Sequence, residues 1–223
     1  MRFTDSPAVE LSVGGATLSI QQDNGSLHVG TSVWPCSLVL VKFIERWFLH
    51  SRHLPPSSTT PYADLLHFEG KRAVELGAGC GAAGMGLHLL GLDVVLTDIA
   101  PVMPALRRNL KRNRAALGRP PRHAIVYWNN AAQISALRPP FDFVVAADVV
   151  YIEDSVAPLV AAMEALVSPR GAVLLGYQVR SPEAHRLFWE ICGRSFSVQK
   201  VAHEDLHPDY AYEEADVYVL RKK

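Results

Sequence analysis

Residues 74–86 read VELGAGCGAAGMG, with five glycines between Gly77 and Gly86. Two glycine patterns overlap there. Gly77-Ala-Gly79-Cys-Gly81 is a G-x-G-x-G loop, and Gly79-Cys-Gly81-Ala-Ala-Gly84 is a G-x-G-x-x-G loop, the dinucleotide-binding fingerprint. Either one needs a strand before it and a helix after it. KRAVELGAG supplies a short buried strand, and residues 81–90, with Met85, Leu87, Leu89 and Leu90, supply a helix that Gly91 stops. The stretch places the chain among folds that hold a nucleotide cofactor, without saying which one.

Outward from this loop, strand and helix patterns alternate. DVVLTDI (93–99), HAIVYW (123–128), FDFVVAADVVY (141–151) and GAVLLGYQ (171–178) are apolar runs, as expected of strands covered on both faces. Helices are predicted over 101–117, with Gly118 just past the end, over 155–167, and from Ser181-Pro182-Glu183, which offers a capping hydroxyl, proline at the first turn and an acid. FSVQKVA (196–202) and ADVYVLRK (215–222) leave no room for a helix between them, so the last strand should run antiparallel. The fold class is α/β: a doubly wound, Rossmann-like sheet of seven strands with an antiparallel last strand. Before it, VELSV and ATLSIQQ flank Gly14-Gly15 as a hairpin, Ser37–His50 reads as an amphipathic helix, and 51–62 is a proline-rich loop. One domain is expected over 1–223, with 1–68 as an N-terminal hairpin-and-helix cap and loop and 69–223 as the cofactor-binding core.

Composition narrows the class. Lys+Arg and Asp+Glu balance at 22 each, so there is no global pull toward nucleic acid or anionic membrane. The three cysteines, Cys36, Cys80 and Cys192, are few and far apart, which suits a reducing compartment. No run approaches the roughly 20 apolar residues of a membrane helix, and the N-terminus lacks a signal-peptide core. A cytoplasmic protein, monomeric and without a membrane anchor, is expected.

In a doubly wound sheet the ligand sits beyond the carboxyl ends of the strands, and an acid ending the second strand takes the ribose hydroxyls. Asp98 is that acid. It serves NAD enzymes and methyltransferases alike. Three observations separate them. Glu75 precedes the loop, giving Glu-Leu-Gly-x-Gly-x-Gly. The chain is too short for a dehydrogenase with its own substrate domain, and the Tyr-x-x-x-Lys of compact reductases appears only as Tyr218/Lys222 in a strand, where the two side chains cannot align as on a helix. Ala147-Asp148-Val-Val-Tyr151 ends the fourth core strand, putting a carboxylate and a phenol where a methyl acceptor must sit.

On these pieces, together with Val33-Trp34, Thr97-Asp98 and Tyr127-Trp128, the chain resembles the seven-strand protein-lysine methyltransferases that act on chaperones, AAA ATPases and translation factors. The matching residues span 33–151. The resemblance implies S-adenosylmethionine as cofactor and a lysine of a non-histone protein as acceptor. It implies cofactor binding by Trp34, Glu75, Gly77, Ala78, Gly79, Asp98, Trp128 and Ala147, and catalytic roles at the lysine channel for Asp148 and Tyr151. Asp148 would orient the incoming ammonium, with proton loss to water before attack. Two positions depart from the family: Pro35 after the first tryptophan, where an acid is common, and Asn129 after the second, where glycine is common.

Other readings stand beside this one. An RNA or small-molecule methyltransferase is the first. Its RNA form would use the seven basic residues of RRNLKRNRAALGRPPR (107–122), which read equally as a solvated helix face. Base-amine enzymes usually carry Asn/Asp-Pro-Pro-Tyr/Phe after this strand, whereas Pro139-Pro140-Phe141 lies before it, so nucleic acid is not the expected partner. A non-catalytic cofactor-binding interaction protein is the second. His203-Glu-Asp-Leu-His207 matches the H-E-x-x-H zinc motif, but Pro208 follows at once and no helix is predicted, so no metal is expected.

Overall fold

The computed structural model describes residues 5–52 and 62–223; most of the expected loop at 51–62 lies outside them. The elements are β1 (Ala8–Val13), β2 (Ala16–Gln21), α1 (Pro35–Arg52), β3 (Arg72–Leu76), α2 (Ala82–Leu89), β4 (Asp93–Asp98), α3 (Met103–Arg112), α4 (Arg114–Leu117), β5 (Arg122–Ile125), α5 (Ala131–Ala136), β6 (Phe141–Ala147), α6 (Glu153–Leu166), β7 (Val167–Tyr177), α7 (Pro182–Ser195), β8 (Phe196–Lys200) and β9 (Asp216–Lys222).

Seven strands form one sheet in the order β5-β4-β3-β6-β7-β9-β8. β9 is antiparallel to both neighbours, and the other pairings are parallel. The chain winds outward from β3 to β5, then crosses back to β6 and winds the other way. The switch point between β3 and β6 is where such a sheet opens a crevice for ligand. One core cluster joins α1, α2 and α3 to one face of the sheet; a second joins α5, α6 and α7 to the other. The strand interiors are apolar on both sides because both faces are covered.

Helix α1 departs from the amphipathic expectation. Residues Leu38 to Glu45 are all buried, Lys42 and Glu45 included. The hairpin and the turns at 203–210 cover the side that was expected to face water. Lys42 and Glu45 pair with each other there. Lys42 Nζ also donates to the Ser12 carbonyl (3.0 Å), and Glu45 Oε1 accepts from the Gly14 N–H (2.7 Å). Trp47 Nε1 donates to the Asp205 carbonyl (2.9 Å), and Tyr62 OH donates to Asp205 Oδ2 (2.6 Å). The His203–His207 stretch makes one 3-10 turn over His203–Asp205, used for this packing, and no helix that would align the two histidines.

The predicted helix 101–117 is interrupted at Asn113, between α3 and α4, and this helix face carries the hairpin. Asn109 and Asn113, one helical turn apart, turn their amides to the free edge of β2. Asn109 accepts from the Gln21 N–H (2.9 Å) and donates to the Gln21 carbonyl (3.0 Å). Asn113 does the same with Ser19, at 2.7 and 3.0 Å. Two side-chain amides thus stand in for a neighbouring strand and satisfy backbone groups that would otherwise be orphaned. This seats the N-terminal hairpin against α3.

Two of the strands that end earlier than expected, β5 and β6, shape the site. β5 ends at Ile125, so Tyr127 and Trp128 belong to the turn beyond it, where Tyr127 N–H donates to Gln133 Oε1 (2.8 Å). β6 ends at Ala147 because Asp148 takes φ +59, a left-handed conformation that no strand continues through. A short helix over 131–136, absent from the sequence reading, is capped by Asn130 Oδ1 accepting from Gln133 N–H (3.1 Å). Ser181 caps α7 as expected, accepting from Ala184 N–H (3.2 Å).

Candidate active site

The glycine loop leaves the end of β3 and turns into α2. At Gly79 the backbone is left-handed (φ +55), and a Cβ there would stand 2.8 Å from the Gly30 carbonyl oxygen. Only glycine meets both demands. Gly84, the last glycine of the overlapping dinucleotide pattern, has another use. It faces the sheet so closely that a Cβ would overlap the Leu96 and Glu75 side chains. Both glycine patterns are therefore satisfied, the first by the loop and the second by the packing of α2 on β3 and β4.

Asp98, the last residue of β4, holds the loop. Its Oδ2 accepts from Gly79 N–H and its Oδ1 from Ile99 N–H, each at 2.7 Å. Glu75, inside β3, reaches to the first turn of α2, where Oε2 accepts from Gly84 N–H (3.0 Å). Burial lifts the Glu75 carboxyl to about 8; the Gly84 N–H opposes this, and the nearby Asp98 charge adds to it. Burial also raises Asp98, against the pull of its two N–H partners. Two acids share one poorly solvated end of the site, an arrangement that a cation relieves.

On the other side of the switch point, Asp148 follows β6 and donates its N–H to the Gly176 carbonyl of β7 (2.9 Å). Its side chain is only 4% exposed. The carboxylate expected to meet an incoming ammonium already has a cation: Arg180 Nε reaches Oδ1 at 2.9 Å and Nη2 reaches Oδ2 at 2.6 Å. The same guanidinium lies over the Trp34 ring, 4.8 Å from its centroid. Trp34 in turn donates its indole N–H to the Val29 carbonyl (2.9 Å). Tyr151 is 40% exposed, and its phenol is raised by burial and by the Asp98 and Asp148 charges.

Between these walls lies a cavity of about 540 Å³. Trp34, Glu75, Gly77, Ala78, Gly79, Asp98, Trp128, Ala147, Asp148 and Tyr151 all line it, so the structure brings together the ten residues singled out from the sequence. It adds others. Leu27 to Gly30 roof the cavity, Ile99 and Asn129 stand beside Asp98 and Trp128, and Ile152 extends the rim beyond Tyr151. Ile99 and Asn129 could have been found as sequence neighbours of the two selected residues. Nothing in the spacing points to the 27–30 roof or to Arg180.

Among the described residues the lining carries the acids Glu75, Asp98, Asp148 and Asp154 and neither lysine nor arginine. That donor set suits S-adenosylmethionine, which brings a ribose diol, an ammonium and a sulfonium. Carboxylates accept from the first two, and the faces of Trp34 and Trp128 offer contact to cationic or flat groups. A dinucleotide pyrophosphate would meet these four acids and, among the described residues, neither lysine nor arginine.

A lysine methyltransferase family pattern matches residues 13–193. A zebrafish (Danio rerio) protein named protein N-lysine methyltransferase METTL21A is 28% identical over 215 residues, covering 92% of this chain and 86% of the relative. A Xenopus tropicalis protein named EEF1A lysine methyltransferase 3 is 28% identical over 177 residues, covering 79% and 70%. Among solved structures, a TehB-like SAM-dependent methyltransferase of Corynebacterium glutamicum superposes with a TM-score of 0.52 at 19% identity, over 81% of this chain and 98% of that one. The magnesium protoporphyrin IX methyltransferase of Synechocystis PCC 6803, solved with bound SAM, gives 0.53 at 15% identity, over 84% and 80%. These two likenesses carry the fold.

Proposed function

The chain belongs to the lysine methyltransferase family, and from that premise we propose that the two walls of its cavity hold different reactants. The activity is methyl transfer from S-adenosylmethionine to a lysine side chain. In our reading Asp98, Glu75, the Gly77–Gly79 backbone, Trp34, Trp128 and Ala147 hold the cofactor, while Asp148 and Tyr151 face the lysine. The observation that carries this division is the cavity itself, which is continuous from Asp98 to Tyr151 and, among the described residues, is lined by four acids without a lysine or arginine.

S-adenosylmethionine, when bound, supplies a methyl group already activated on a sulfonium. The protein's own part is alignment, exclusion of water and control of the acceptor's proton. A lysine amine ordinarily titrates near 10.4, so it must lose a proton before it can attack. Half-buried Trp34 and Trp128 wall off water and favour the neutral amine. Tyr151, exposed at the rim, is placed to hydrogen-bond the amine as it enters. The Asp148 carboxylate lines the same cavity and sets the field the amine meets.

We propose that the acceptor is a non-histone protein and that the enzyme works as a cytoplasmic monomer. The three cysteines are unpaired and buried, in keeping with a reducing compartment. EEF1A, named in one relative, is the first substrate to test; chaperones and AAA ATPases come next. Among the described residues no helix is long and apolar enough to cross a membrane.

The test supplies the full chain with methyl-labelled cofactor and EEF1A, and in parallel with cell lysate, with and without RNase. Label recovered as methyl-lysine after acid hydrolysis, indifferent to RNase, is the expected result. Label that enters RNA or small molecules and leaves proteins unlabelled would overturn the reading.

A further inference from the structure

Arg180, in the loop between β7 and α7, does not line the cavity, yet it joins residues from both of its walls. We propose that Arg180 is a positioning residue for the methyl acceptor: it binds the Asp148 carboxylate and the Trp34 ring into one wall and matches the Asp148 charge before lysine arrives. This inference rests on the lysine-methyltransferase reading of the same cavity.

Geometry is the first support. The pair is bidentate, with Nε and Nη2 on the two oxygens of one carboxylate, the arrangement that only a planar guanidinium makes. Both side chains are largely shielded from water, at 4% exposure for Asp148 and 17% for Arg180. A carboxylate so placed needs a partner, since a buried charge left alone is strongly unfavourable. Asp148 also holds a left-handed backbone (φ +59), which a residue with a Cβ keeps only when its surroundings impose it. Two anchors from the β7 side do so: the Gly176 carbonyl on its N–H and Arg180 on its carboxylate.

The contacts then run onward. Arg180 lies on Trp34, and Trp34 donates to the Val29 carbonyl in the roof. A single guanidinium thus connects the end of β6, the start of α1 and the 29–31 turn. Moving it would disturb the acceptor wall and the roof together.

Charge is the second support. The acceptor amine must be neutral to react, and a bare carboxylate beside it would hold it protonated. The groups around Asp148 are Arg180, the Cys36 thiol and the Tyr151 phenol; Asp98 acts on Tyr151 from the cofactor side. Glu214 acts on Arg180 and accepts from Gln178 Nε2 (2.7 Å). Among these groups Arg180 is the one cation. With it in place Asp148 orients without trapping an ammonium; without it the same carboxylate favours the unreactive form.

The experiment compares the full chain with Arg180→Ala and Arg180→Lys. It records kcat and KM for the protein acceptor from about pH 6.5 to about 9.5, the Kd for S-adenosylhomocysteine by calorimetry, and thermal melting. For Arg180→Ala we expect kcat/KM to fall about 30-fold while the S-adenosylhomocysteine Kd changes by less than about threefold. The midpoint of the rise in kcat with pH should move up by about half a unit or more. Arg180→Lys, which keeps the charge without the planar fork, should return the midpoint and recover part of the rate. A folded Arg180→Ala with unchanged kcat/KM and midpoint would overturn the proposal. Equal losses in rate and S-adenosylhomocysteine affinity would also overturn it, by assigning Arg180 to the cofactor wall. If Arg180→Ala does not fold, Arg180→Lys decides: full rate leaves the fork without a function, and a reduced rate at an unmoved midpoint supports it. A wild-type chain that methylates no lysine would instead break the reading of the cavity on which the proposal stands.

Discussion

Asp98 and Asp148 each close a parallel strand at the same crevice, yet they are held by different kinds of partner. Among the described residues Asp98 accepts only backbone N–H groups, from Gly79 and Ile99. Asp148 accepts from the side chain of Arg180, 32 residues further along the chain. Backbone partners come with any sequence that builds the glycine loop beside the second strand. A guanidinium partner exists only if that one residue is present and its loop delivers it. On the proposed division, the Asp98 wall follows from the fold, and the Asp148 wall depends on particular side chains.

The sharpest way to break this contrast is Asp148→Asn. It should lower methylation by about 100-fold or more, roughly 2.7 kcal/mol in the transition state, while S-adenosylhomocysteine affinity by calorimetry stays within about threefold. Near-wild-type turnover would make the carboxylate purely structural. Asp98→Ala is the counterpart on the other wall. On the proposed reading it removes an acceptor for the ribose, and it orphans the Gly79 N–H, so cofactor affinity should fall more than about tenfold, in line with roughly 1.5–3 kcal/mol for a charged hydrogen bond. An unchanged Kd would show that Asp98 only braces the loop.

Gly84→Ala asks how far the cofactor wall depends on close packing. The added methyl meets Leu96 and Glu75, and overpacking of this kind lowers stability by about 1–3 kcal/mol. Chemical denaturation should show it as a lower midpoint, and an unchanged midpoint would mean α2 can shift outward freely.

Glu75 gives a pH-dependent effect with a defined sign. Its carboxyl ordinarily titrates at 4.5 and is lifted to about 8 in the folded chain. The folded state then holds the proton more tightly than the unfolded state. Its contribution to stability is full below about pH 4.5 and is lost as pH rises through about 8. The melting temperature of the unliganded protein should carry a downward component over that range, and Glu75→Gln should flatten it. Equal slopes for both proteins would refute the assignment.

Much of this architecture was legible in the residues. The G-x-G loop, the strand-ending acid at Asp98 and the Asp-x-x-Tyr after β6 report local chemistry: a left-handed turn, a ladder terminus, a polar break after an apolar run. The tryptophans were legible through resemblance, and the ten residues chosen line one cavity. Helix α1 misled because its pattern was read against one covering layer, while the hairpin supplies a second. Within the helix predicted over 101–117, Asn109 and Asn113 look like ordinary surface amides until β2 is laid beside them.

The sequence by itself determined the alternation of strands and helices, the glycine loop and the carboxylates that follow the strands, because each depends on residues a few positions apart and on the periods of strand and helix. Only the tertiary structure decided who partners whom across the crevice. Arg180 follows no motif and no period, and nothing in its neighbourhood, YQVRSPE, points to Asp148 or Trp34. The pairing arises because β7 lies beside β6, so the loop after one strand overhangs the end of the other. The 27–30 roof was hidden for the same reason: its closeness to Gly79 comes from the way Asn109 and Asn113 seat the hairpin, a contact between segments more than 80 residues apart.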